Sequence, residues 1–453
     1  MDNATICALA TPAGGAIGII RVSGKNAISI TDRIFHPAGT HSLTEAKANT
    51  VHYGEIIDAD HQVIDDVLVS VFRSPHSYTG EDSTEISCHG SRYVLGQVLR
   101  RLIDCGCRQA GPGEYTRRAY LNGKMDLSQA EAVADLVAAS NRASHQLAIS
   151  QLKGHFSSEL GRLREQLLKM TSLVELELDF SDHEDLEFAD RGQLKTLAQK
   201  IDDKIIYLAR SFKTGNALKQ GIPVAIIGKT NVGKSTLLNQ LLHEDKAIVS
   251  DIDGTTRDII EDTTEIHGIS FRFIDTAGLR KTDDKIEKLG IERTYQKISE
   301  AAIILWMVDQ QPSDQEIEDI QKRTSDKSLI IVRNKIDKDS SPINVPSKIP
   351  VISLSAKQGT HIPELEQKLY IVADIPEINE NSVIVTNARH YDALMAGKES
   401  IERVLQGLKD NLSGDLLSED LRICLNQLGE ITGGQITPNE VLNNIFKHFC
   451  IGK

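Results

Sequence analysis

A glycine-rich loop between a β-branched segment and a helical pattern constrains the fold of this chain more than any other feature. Residues 224–227 read VAII, residues 228–235 read GKTNVGKS, and residues 236–242 continue with apolar side chains at helical spacing. The loop matches G-x-x-x-x-G-K-[ST] in the strand–loop–helix context that this phosphate-binding motif requires. Its glycines allow backbone N–H groups to surround a phosphate, and the positive end of the helix faces the same anion. We therefore expect a nucleotide site in this segment.

The last two residues of the loop have predicted contacts with the nucleotide and its metal ion. Lys234 can reach the β- and γ-phosphates, and the hydroxyl of Ser235 can bind Mg²⁺. An ordinary glycine-rich turn is the alternative, but a chance match in the chain is on the order of one in a hundred at average glycine usage. The flanking strand and helix make a chance match rarer still.

Three shorter motifs follow segments that we predict as strands of the same domain. Residues 275–278 read DTAG, residues 334–337 read NKID, and residues 355–357 read SAK. Strands that alternate with helices at this spacing predict a parallel sheet with the ligand at the carboxyl ends of its strands. Asp337 indicates guanine, because its carboxylate can accept hydrogen bonds from the N1–H and the 2-amino group, which adenine lacks. The order of the motifs resembles that of the translation-factor-like GTPases, so GTP is the expected nucleotide.

Two further segments of this domain correspond to the switches of a GTPase. In the first, DGTTRD at residues 253–258, Thr256 is our candidate for the second Mg²⁺ ligand. In the second, Leu279 stands where Ras-like proteins place a water-orienting glutamine, and a leucine cannot polarise water. Glu287 is our candidate catalytic residue, because it begins a helical pattern, whereas the other two candidates, Asp283 and Asp284, lie in a polar run.

Composition limits the other functions that the chain can have. Hydrophobic residues make up 40% and charged residues 25% of the 453 residues, as in soluble globular proteins of about two to four domains. No apolar run approaches the length of a membrane span, and the amino terminus lacks the regions of a signal peptide. The six cysteines show no C-x-x-C spacing, which indicates free thiols in a reducing cytoplasm. A net charge of −13 repels polyanions, so contact with nucleic acid must be local or come from a basic partner.

The periodicity of the chain changes at three places and predicts a multi-domain α/β protein. Residues 1–120 contain short strands, residues 121–217 are helical, residues 218–376 carry the nucleotide motifs, and residues 377–453 are helical again. We therefore expect an amino-terminal α+β domain and a central helical domain. A P-loop GTPase domain with a mostly parallel sheet is expected as an insertion between the two helical halves, which need each other to bury their apolar faces.

Local patterns in the sequence predict further features of the fold. Ser128 and Glu131 form the pattern of a capping box at the start of a helix. The polar clusters at residues 78–82 and 111–118 are interpreted as loops from their composition. The acidic segment 179–190 is typical of a solvated interhelical loop, with cation binding as the alternative.

The motifs together resemble one family over essentially the full length of the chain. DGTTRD and DTAGLR, the inserted GTPase domain, GPGEYT at residues 111–116, LNGKMDL at residues 121–127 and FCIGK at residues 449–453 all match. They are similar to the MnmE (TrmE) family of bacterial tRNA-modification GTPases. The terminal CIGK and the split helical domain are the most discriminating parts of this resemblance.

The resemblance implies a folate-dependent reaction on tRNA. Members form a heterotetramer with an MnmG-like FAD protein and add an aminomethyl or carboxymethylaminomethyl group to carbon 5 of the wobble uridine. Tetrahydrofolate supplies the methylene carbon, and glycine or ammonium supplies the amine. The amino-terminal domain is implied to form a homodimer and to bind 5-formyltetrahydrofolate or methylenetetrahydrofolate through Arg21, Glu81, Lys124 and Lys453. Cys450 is either a nucleophile in this reaction or a buried free cysteine.

The resemblance also implies which groups bind GTP and potassium. Asn231, Ser250, Ile252 and Thr255 would coordinate K⁺ at the place where other GTPases position an arginine finger. Glu287 aligns by motif with the proposed water-positioning glutamate of the family. The expected GTP contacts come from the P-loop, the first switch, DTAG, NKID and SAK, namely Asn231, Val232, Gly233, Lys234, Ser235, Thr236, Ser250, Asp251, Ile252, Asp253, Gly254, Thr255, Thr256, Asp275, Thr276, Ala277, Gly278, Asn334, Lys335, Asp337, Ser355, Ala356 and Lys357.

Two other functions fit parts of the sequence. A regulatory or ribosome-assembly GTPase of the Era or Der type would need a basic RNA-binding appendage or a second P-loop, and the sequence has neither. A folate-dependent aminomethyltransferase with an acquired GTPase switch would differ in how its folate binding responds to tRNA and the flavoprotein. The sequence leaves open which tRNAs and which amine donor are used.

Overall fold

Two compact units make up the chain. The first comprises residues 1–138, 151–202 and 396–453, and the second comprises residues 139–150 and 203–395. The structure is a computed structural model that describes residues 4–179, 191–242, 262–274, 298–376, 378–379, 381–434, 439–447 and 449–452.

A seven-stranded sheet organises the amino-terminal part of the first unit. Its strands in chain order are β1 Ile6–Leu9, β2 Ile17–Ser23, β3 Phe35–Pro37, β4 Thr50–Ile57, β5 Val63–Phe72, β6 Ser83–His89 and β7 Arg108–Gln109. Their order across the sheet is β3-β4-β5-β6-β2-β1-β7. Neighbours are antiparallel except β1 and β7, which are parallel. The short strands predicted for this region are therefore present.

Alternating side chains give this sheet one buried face and one exposed face. On β5, Val67 and Val69 are buried, whereas Leu68 between them is exposed. The buried face packs against two helices, α1 Ala27–Ile34 and α2 Arg92–Asp104. Alternation of this kind is typical of an antiparallel sheet with one face on the core and one in solvent.

The other helices follow the amphipathic patterns of the sequence. They are α3 Glu114–Leu121, α4 Leu127–Ala138, α5 Arg142–Leu152, α6 His155–Asp179, α7 Arg191–Gln220, α8 Lys234–Leu241, α9 Asp314–Arg323, α10 Ile362–Val372, α11 Ala388–Lys409, α12 Gly414–Thr432 and α13 Asn439–Phe446. Helices α5, α7 and α11 have residues in both units. Within the first unit, α12 packs along α6. A short 3₁₀ helix, Leu43–Glu45, follows β3.

The capping box predicted for α4 is wrong in its residues. Asp126 caps this helix, because its Oδ1 accepts a hydrogen bond from the Gln129 N–H at 2.9 Å. The Gln129 Oε1 in turn accepts a hydrogen bond from the Asp126 N–H at 3.0 Å. This reciprocal pair is a capping box two positions earlier than the Ser128–Glu131 pattern. Ser128 lies inside the helix and donates to Asp126 Oδ1 at 2.9 Å.

The interpretation of residues 111–118 as a loop is also wrong. Helix α3 begins at Glu114, immediately after Gly113, whose backbone is left-handed at φ +62°. The Glu114 carboxylate accepts a hydrogen bond from the Gly111 N–H at 2.9 Å and holds the entry to the helix. Residues 78–82 do form a loop, as expected. Of the acidic segment, residues 180–190 lie outside the described residues.

A six-stranded sheet organises the second unit. Its strands are β8 Ile222–Ile227, β9 Asp262–Ile266, β10 Ile269–Phe273, β11 Ile303–Val308, β12 Ser328–Arg333 and β13 Val351–Ser353. The order across the sheet is β13-β12-β11-β8-β10-β9, and only the β9–β10 pair is antiparallel. This is the mostly parallel sheet that the motif spacing predicts.

Strand β8, which leads into the P-loop, is buried on both faces. Val224 and Ile226 belong to one core cluster with α8 and α10, whereas Ala225 and Ile227 belong to a second cluster with Ile317 of α9. A parallel strand covered by helices on both sides has a continuous apolar sequence. Because both faces of β8 are packed, the strand holds the first residue of the P-loop in a fixed position.

Within the described ranges, none of the helices is both long enough and apolar enough to span a lipid bilayer.

Candidate functional site

The P-loop connects the end of β8 to the start of α8. Gly233 immediately precedes the helix and has φ +101°, a left-handed conformation in which side chains are strained. A Cβ atom at this position would lie 2.3 Å from Nδ2 of Asn334. Glycine is therefore required here both by the backbone conformation and by the close approach of the NKID motif.

Lys234 begins α8 with its ammonium group directed back over the loop. Its Nζ donates hydrogen bonds to the carbonyl oxygens of Gly228 at 2.8 Å and Lys229 at 2.7 Å. These neutral acceptors can be exchanged for phosphate oxygens, which form stronger charge-assisted hydrogen bonds with an ammonium group. Ser235 and Thr236 follow in the first turn of the helix, where the positive end of the helix dipole favours an anion.

Asn334 joins the P-loop to the SAK motif. Its side chain is buried, and its Nδ2 donates to the carbonyl oxygen of Val232 at 2.7 Å. Its Oδ1 accepts a hydrogen bond from the Ala356 N–H at 2.9 Å. The amide thus uses both its donor and its acceptor to hold two loops together, as buried polar groups must.

Lys335 makes a second connection to the P-loop and reveals a residue that the sequence motifs missed. Its Nζ donates to the carbonyl oxygen of Asn231 at 2.8 Å and to Oδ2 of Asp309 at 2.7 Å. The hydrogen bond from Lys335 lowers the pKa of the Asp309 carboxyl. Asp309 directly follows the apolar strand β11, and its position at the carboxyl end of that strand is the signal that could have identified it.

Asp337 is held by the SAK motif as an acceptor for a base. Ser355 Oγ donates a hydrogen bond to Asp337 Oδ1 at 2.6 Å. This bond, with the nearby positive charges of Lys338 and Lys357, places the pKa of the Asp337 carboxyl below its ordinary value. The carboxylate is therefore ionised at neutral pH and can accept hydrogen bonds from a ligand.

A separate polar cluster surrounds Arg21 in the first unit. The Arg21 Nε and Nη2 atoms lie 2.8 and 2.7 Å from Glu85 Oε1. Its guanidinium carbon lies 5.6 Å from the ring centroid of Tyr78 and 5.7 Å from that of Tyr115. The Tyr115 hydroxyl donates to the backbone carbonyl oxygen of Arg21 at 2.7 Å, and burial raises its pKa. Two aromatic rings and one carboxylate therefore fix the guanidinium in place.

The carboxyl-terminal segment reaches the same cluster. Ile451 forms an antiparallel bridge with Pro112, and the carbonyl oxygen of Gly452 accepts a hydrogen bond from Arg21 Nη1 at 3.3 Å. Gly452 has φ +96°, and a Cβ atom there would lie 2.1 Å from the carbonyl oxygen of Leu9 in β1. Only glycine allows this approach. Cys450 is exposed, so its interpretation as a buried cysteine is wrong.

Glu81 lies in the loop that precedes β6, and Lys124 contacts the same loop. The Glu81 carboxylate accepts hydrogen bonds from Ser23 Oγ at 2.8 Å and from Arg118 Nη1 at 3.1 and 3.2 Å. Lys124 Nζ donates to the carbonyl oxygen of Pro75 at 2.9 Å. Arg118 is buried and was not predicted, because its partners come from distant segments that the sequence does not bring together.

Family models cover almost the whole chain. The model described as MnmE helical domain matches residues 127–450, and the model of the GTP-binding protein TrmE amino terminus matches residues 5–124. The tRNA modification GTPase MnmE of Bacteroides fragilis is 56% identical over 100% of both chains. Those of Phocaeicola vulgatus and Christiangramia forsetii are 54% and 49% identical over 100% of this chain and 99% of theirs. The chain belongs to the MnmE family of tRNA modification GTPases.

Membership in the MnmE family confirms the resemblance drawn from the motifs. It also confirms the enzyme class, a GTPase that takes part in tRNA modification, and the multi-domain α/β class. Membership in the MnmE family is preferred to the alternative interpretation, a regulatory or ribosome-assembly GTPase of the Era or Der type. A solved G domain of the T. maritima FeoB iron transporter aligns with 34% of this chain and 99% of its own at 23% identity and a TM-score of 0.25.

The predicted site residues of this MnmE-family chain divide into three groups, and Arg21, Glu81 and Lys124 of the first unit form one of them. The structure brings together the P-loop residues 231–236 with Asn334, Lys335, Ser355 and Ala356 through the contacts above, and Asp337 and Lys357 lie in the same loops. The roles of these residues stay predictions, as do the domain boundaries at residues 120, 217 and 376. The predicted positions that lie outside the described residues are Ser250, Asp251, Ile252, Asp253, Gly254, Thr255, Thr256, Asp275, Thr276, Ala277, Gly278, Glu287 and Lys453.

Proposed function

We propose that the protein is the GTP-hydrolysing component of a folate-using tRNA modification system in the cytoplasm. Together with an MnmG-like FAD protein it adds an aminomethyl or carboxymethylaminomethyl group at carbon 5 of the wobble uridine. Family membership supports this function. The observation that carries the folate part is the position of the carboxyl-terminal segment beside Arg21.

Guanine recognition is assigned to Asp337. Its carboxylate accepts hydrogen bonds from the N1–H and the 2-amino group of the base. A hydrogen bond from Ser355 Oγ to Asp337 Oδ1 fixes the orientation of the carboxylate. Asn334 holds the P-loop and the SAK loop at a constant separation, so that base and phosphates are bound by one rigid frame. ATP is rejected because adenine would leave the carboxylate unpaired.

Phosphate binding and hydrolysis are assigned to the P-loop and the second switch. Lys234 transfers its hydrogen bonds from the loop carbonyls to the phosphates, and Ser235 with Thr256 would hold Mg²⁺. The exposed side chain of Asn231, with Ser250, Ile252 and Thr255, would hold K⁺. When bound, these two ions would supply positive charge that offsets the negative charge of the phosphates during hydrolysis. Glu287 orients the attacking water through a hydrogen bond.

Folate binding is assigned to Arg21, Glu81, Lys124 and Lys453. These four side chains combine three cations with one carboxylate. They therefore suit an anionic ligand that also carries a ring with hydrogen-bond donors and acceptors. Bound folate supplies the one-carbon unit. Glu85 holds the Nε and Nη2 atoms of Arg21, so the Nη1 atom faces the carboxyl-terminal segment. Because the side chain is already fixed, it loses little conformational freedom when the ligand binds.

Homodimer formation through the amino-terminal domain is supported by the exposed face of its sheet. Val51, Tyr53 and Leu68 are all exposed on β4 and β5, and Ile17 is exposed on β2. Tyr53 and Leu68 are direct cross-strand neighbours. An apolar face of this kind is typical of an interface.

The flavoprotein partner in the heterotetramer is proposed to share in binding tRNA. The net charge of −13 on this chain repels a polyanion, so the partner would supply part of the tRNA-binding surface.

Calorimetric titration with 5-formyltetrahydrofolate tests the folate assignment. Removal of Gly452 and Lys453, or the substitution Arg21→Gln, should weaken binding about tenfold or more, because each removes charge-assisted contacts. GDP affinity should be unchanged in both variants. Arg92→Gln, which removes an exposed arginine from the same domain, serves as the control and should bind folate normally. Full folate affinity after truncation would place the ligand elsewhere.

A further inference from the structure

Arg333 is a buried cation that no sequence motif assigns. It is the last residue of β12, and its side chain is only 3% exposed. Its Nη2 donates to Oδ2 of Asp339 at 2.8 Å, with a longer contact of 3.4 Å to the Asp339 carbonyl oxygen. Its Nε and Nη1 have no hydrogen-bond partner in the part of the chain that the structure describes.

Burial of this guanidinium group is a poor source of stability on general grounds. A buried charge that lacks some of its hydrogen bonds costs free energy, and an apolar side chain of similar volume is often the more stable choice at such a site. The neighbouring residues of β12 are apolar, as the centre of a parallel sheet requires. The reason for a cation at the end of this strand must therefore lie in the loop that follows it.

The Arg333–Asp339 ion pair closes that loop. The two residues lie on either side of residues 334–338, which contain the NKID motif. Two backbone hydrogen bonds tighten the same turn, because the N–H groups of Lys338 and Asp339 donate to the Lys335 carbonyl oxygen at 2.9 and 3.2 Å. The Asp339 carboxylate, which follows the turn, is therefore bound to Arg333 at the end of β12, which precedes the turn.

We propose that Arg333 is a positioning residue for guanine recognition, which acts through Asp339 to hold the Asp337 carboxylate at a fixed place relative to the P-loop. The inference rests on the proposed role of Asp337. Arg333 touches neither the base nor the phosphates. It limits the movement of the loop, so that the two oxygens of Asp337 can meet both donors of guanine at once.

The surrounding charges agree with this role. Lys335, inside the loop, binds Asp309 and the P-loop carbonyl of Asn231. The hydrogen bond from Lys335 is the main cause of the lowered pKa of the Asp309 carboxyl, and the charge of Arg333 contributes further. Two ion pairs, Arg333–Asp339 and Lys335–Asp309, therefore hold the NKID loop from both ends of its first turn.

The test compares the affinities of the full-length protein for GDP and inosine diphosphate, which lacks the 2-amino group. The wild type should prefer GDP by about ten- to a hundredfold, the contribution of one hydrogen bond to a charged group. Arg333→Met and Asp339→Ala should reduce this preference to a few-fold. A purely structural role would weaken both nucleotides equally and leave the ratio unchanged, which would overturn the proposal.

Two additional variants complete the experiment. Arg323→Met removes an arginine that pairs with Asp319 on α9, away from the loop, and should keep the wild-type ratio. Asp337→Ala tests the proposed function separately, since an unchanged ratio in that variant would show that Asp337 does not recognise guanine. If Arg333→Met does not fold, Asp339→Ala decides the question, because its side chain is 57% exposed.

Discussion

Replacement of Gly233 by alanine should damage the nucleotide site by displacing the side chain of Asn334. Gly233 has φ +101°, and the new Cβ atom would lie 2.3 Å from Nδ2 of Asn334. The amide of Asn334 must move, and its hydrogen bonds to Val232 and Ala356 are lost or distorted. The P-loop and the SAK loop would then no longer share a fixed frame.

The expected magnitude follows from two contributions. A left-handed conformation costs a residue with a Cβ atom about 1–2 kcal/mol. Displacement of the buried Asn334 amide leaves polar groups unsatisfied and costs about 1–3 kcal/mol more. The free energy of unfolding should therefore fall by roughly 2–5 kcal/mol. Gly359→Ala is the matched control, because Gly359 has φ +71° but its new Cβ would approach nothing closer than 3.5 Å.

Denaturant unfolding followed by tryptophan fluorescence measures this difference. The chain has a single tryptophan, Trp306, which is buried in β11 of the same unit. Gly359→Ala should lose only about 1–2 kcal/mol and keep its GDP affinity. Gly233→Ala should lose more stability and bind GDP at least about tenfold more weakly, a change of about 1.4 kcal/mol. Equal losses in the two variants would refute the argument from Asn334.

Three further predictions concern the nucleotide chemistry. Asp337→Asn should bind GTP more weakly and xanthosine triphosphate more tightly, because the new amide donates to the C2 oxygen of xanthine; unchanged GTP affinity in a competition assay would contradict this. Hydrolysis should be faster in KCl than in NaCl at equal ionic strength, and Asn231→Ala should abolish the difference; equal wild-type rates in a phosphate-release assay would exclude potassium activation. In single-turnover assays Glu287→Ala should lose about 10²–10⁴-fold in rate with GTP binding intact, whereas Asp283→Ala should lose little; the reverse order would identify the wrong carboxylate.

The sequence predicted the nucleotide frame well because its elements are short, buried and regular. The apolar segments before GKTNVGKS, NKID and SAK are strands β8, β12 and β13, and the P-loop helix begins at Lys234. Strand periodicity and motif position are local properties that can be read without tertiary structure. The order of these strands and helices along the chain can be read from the same local patterns.

The parts that the sequence missed depend on contacts between distant segments. Asp309 and Arg333 become informative only when β11 and β12 lie side by side. Tyr115 and Arg118 were assigned to a polar loop, although helix α3 buries both against β2 and the loop before β6. The capping box was misplaced because Asp126 and Ser128 are both suitable caps, and only the helix start distinguishes them.

Analysis of modified nucleosides in tRNA from a deletion strain tests the proposed function most directly. The strain should lack the aminomethyl or carboxymethylaminomethyl group at carbon 5 of the wobble uridine, and the wild-type gene should restore it. Glu287→Ala and the chain without Gly452 and Lys453 should each restore it poorly, because one hydrolyses GTP slowly and the other binds folate weakly. A deletion strain that retains the modification at wild-type level would contradict the account.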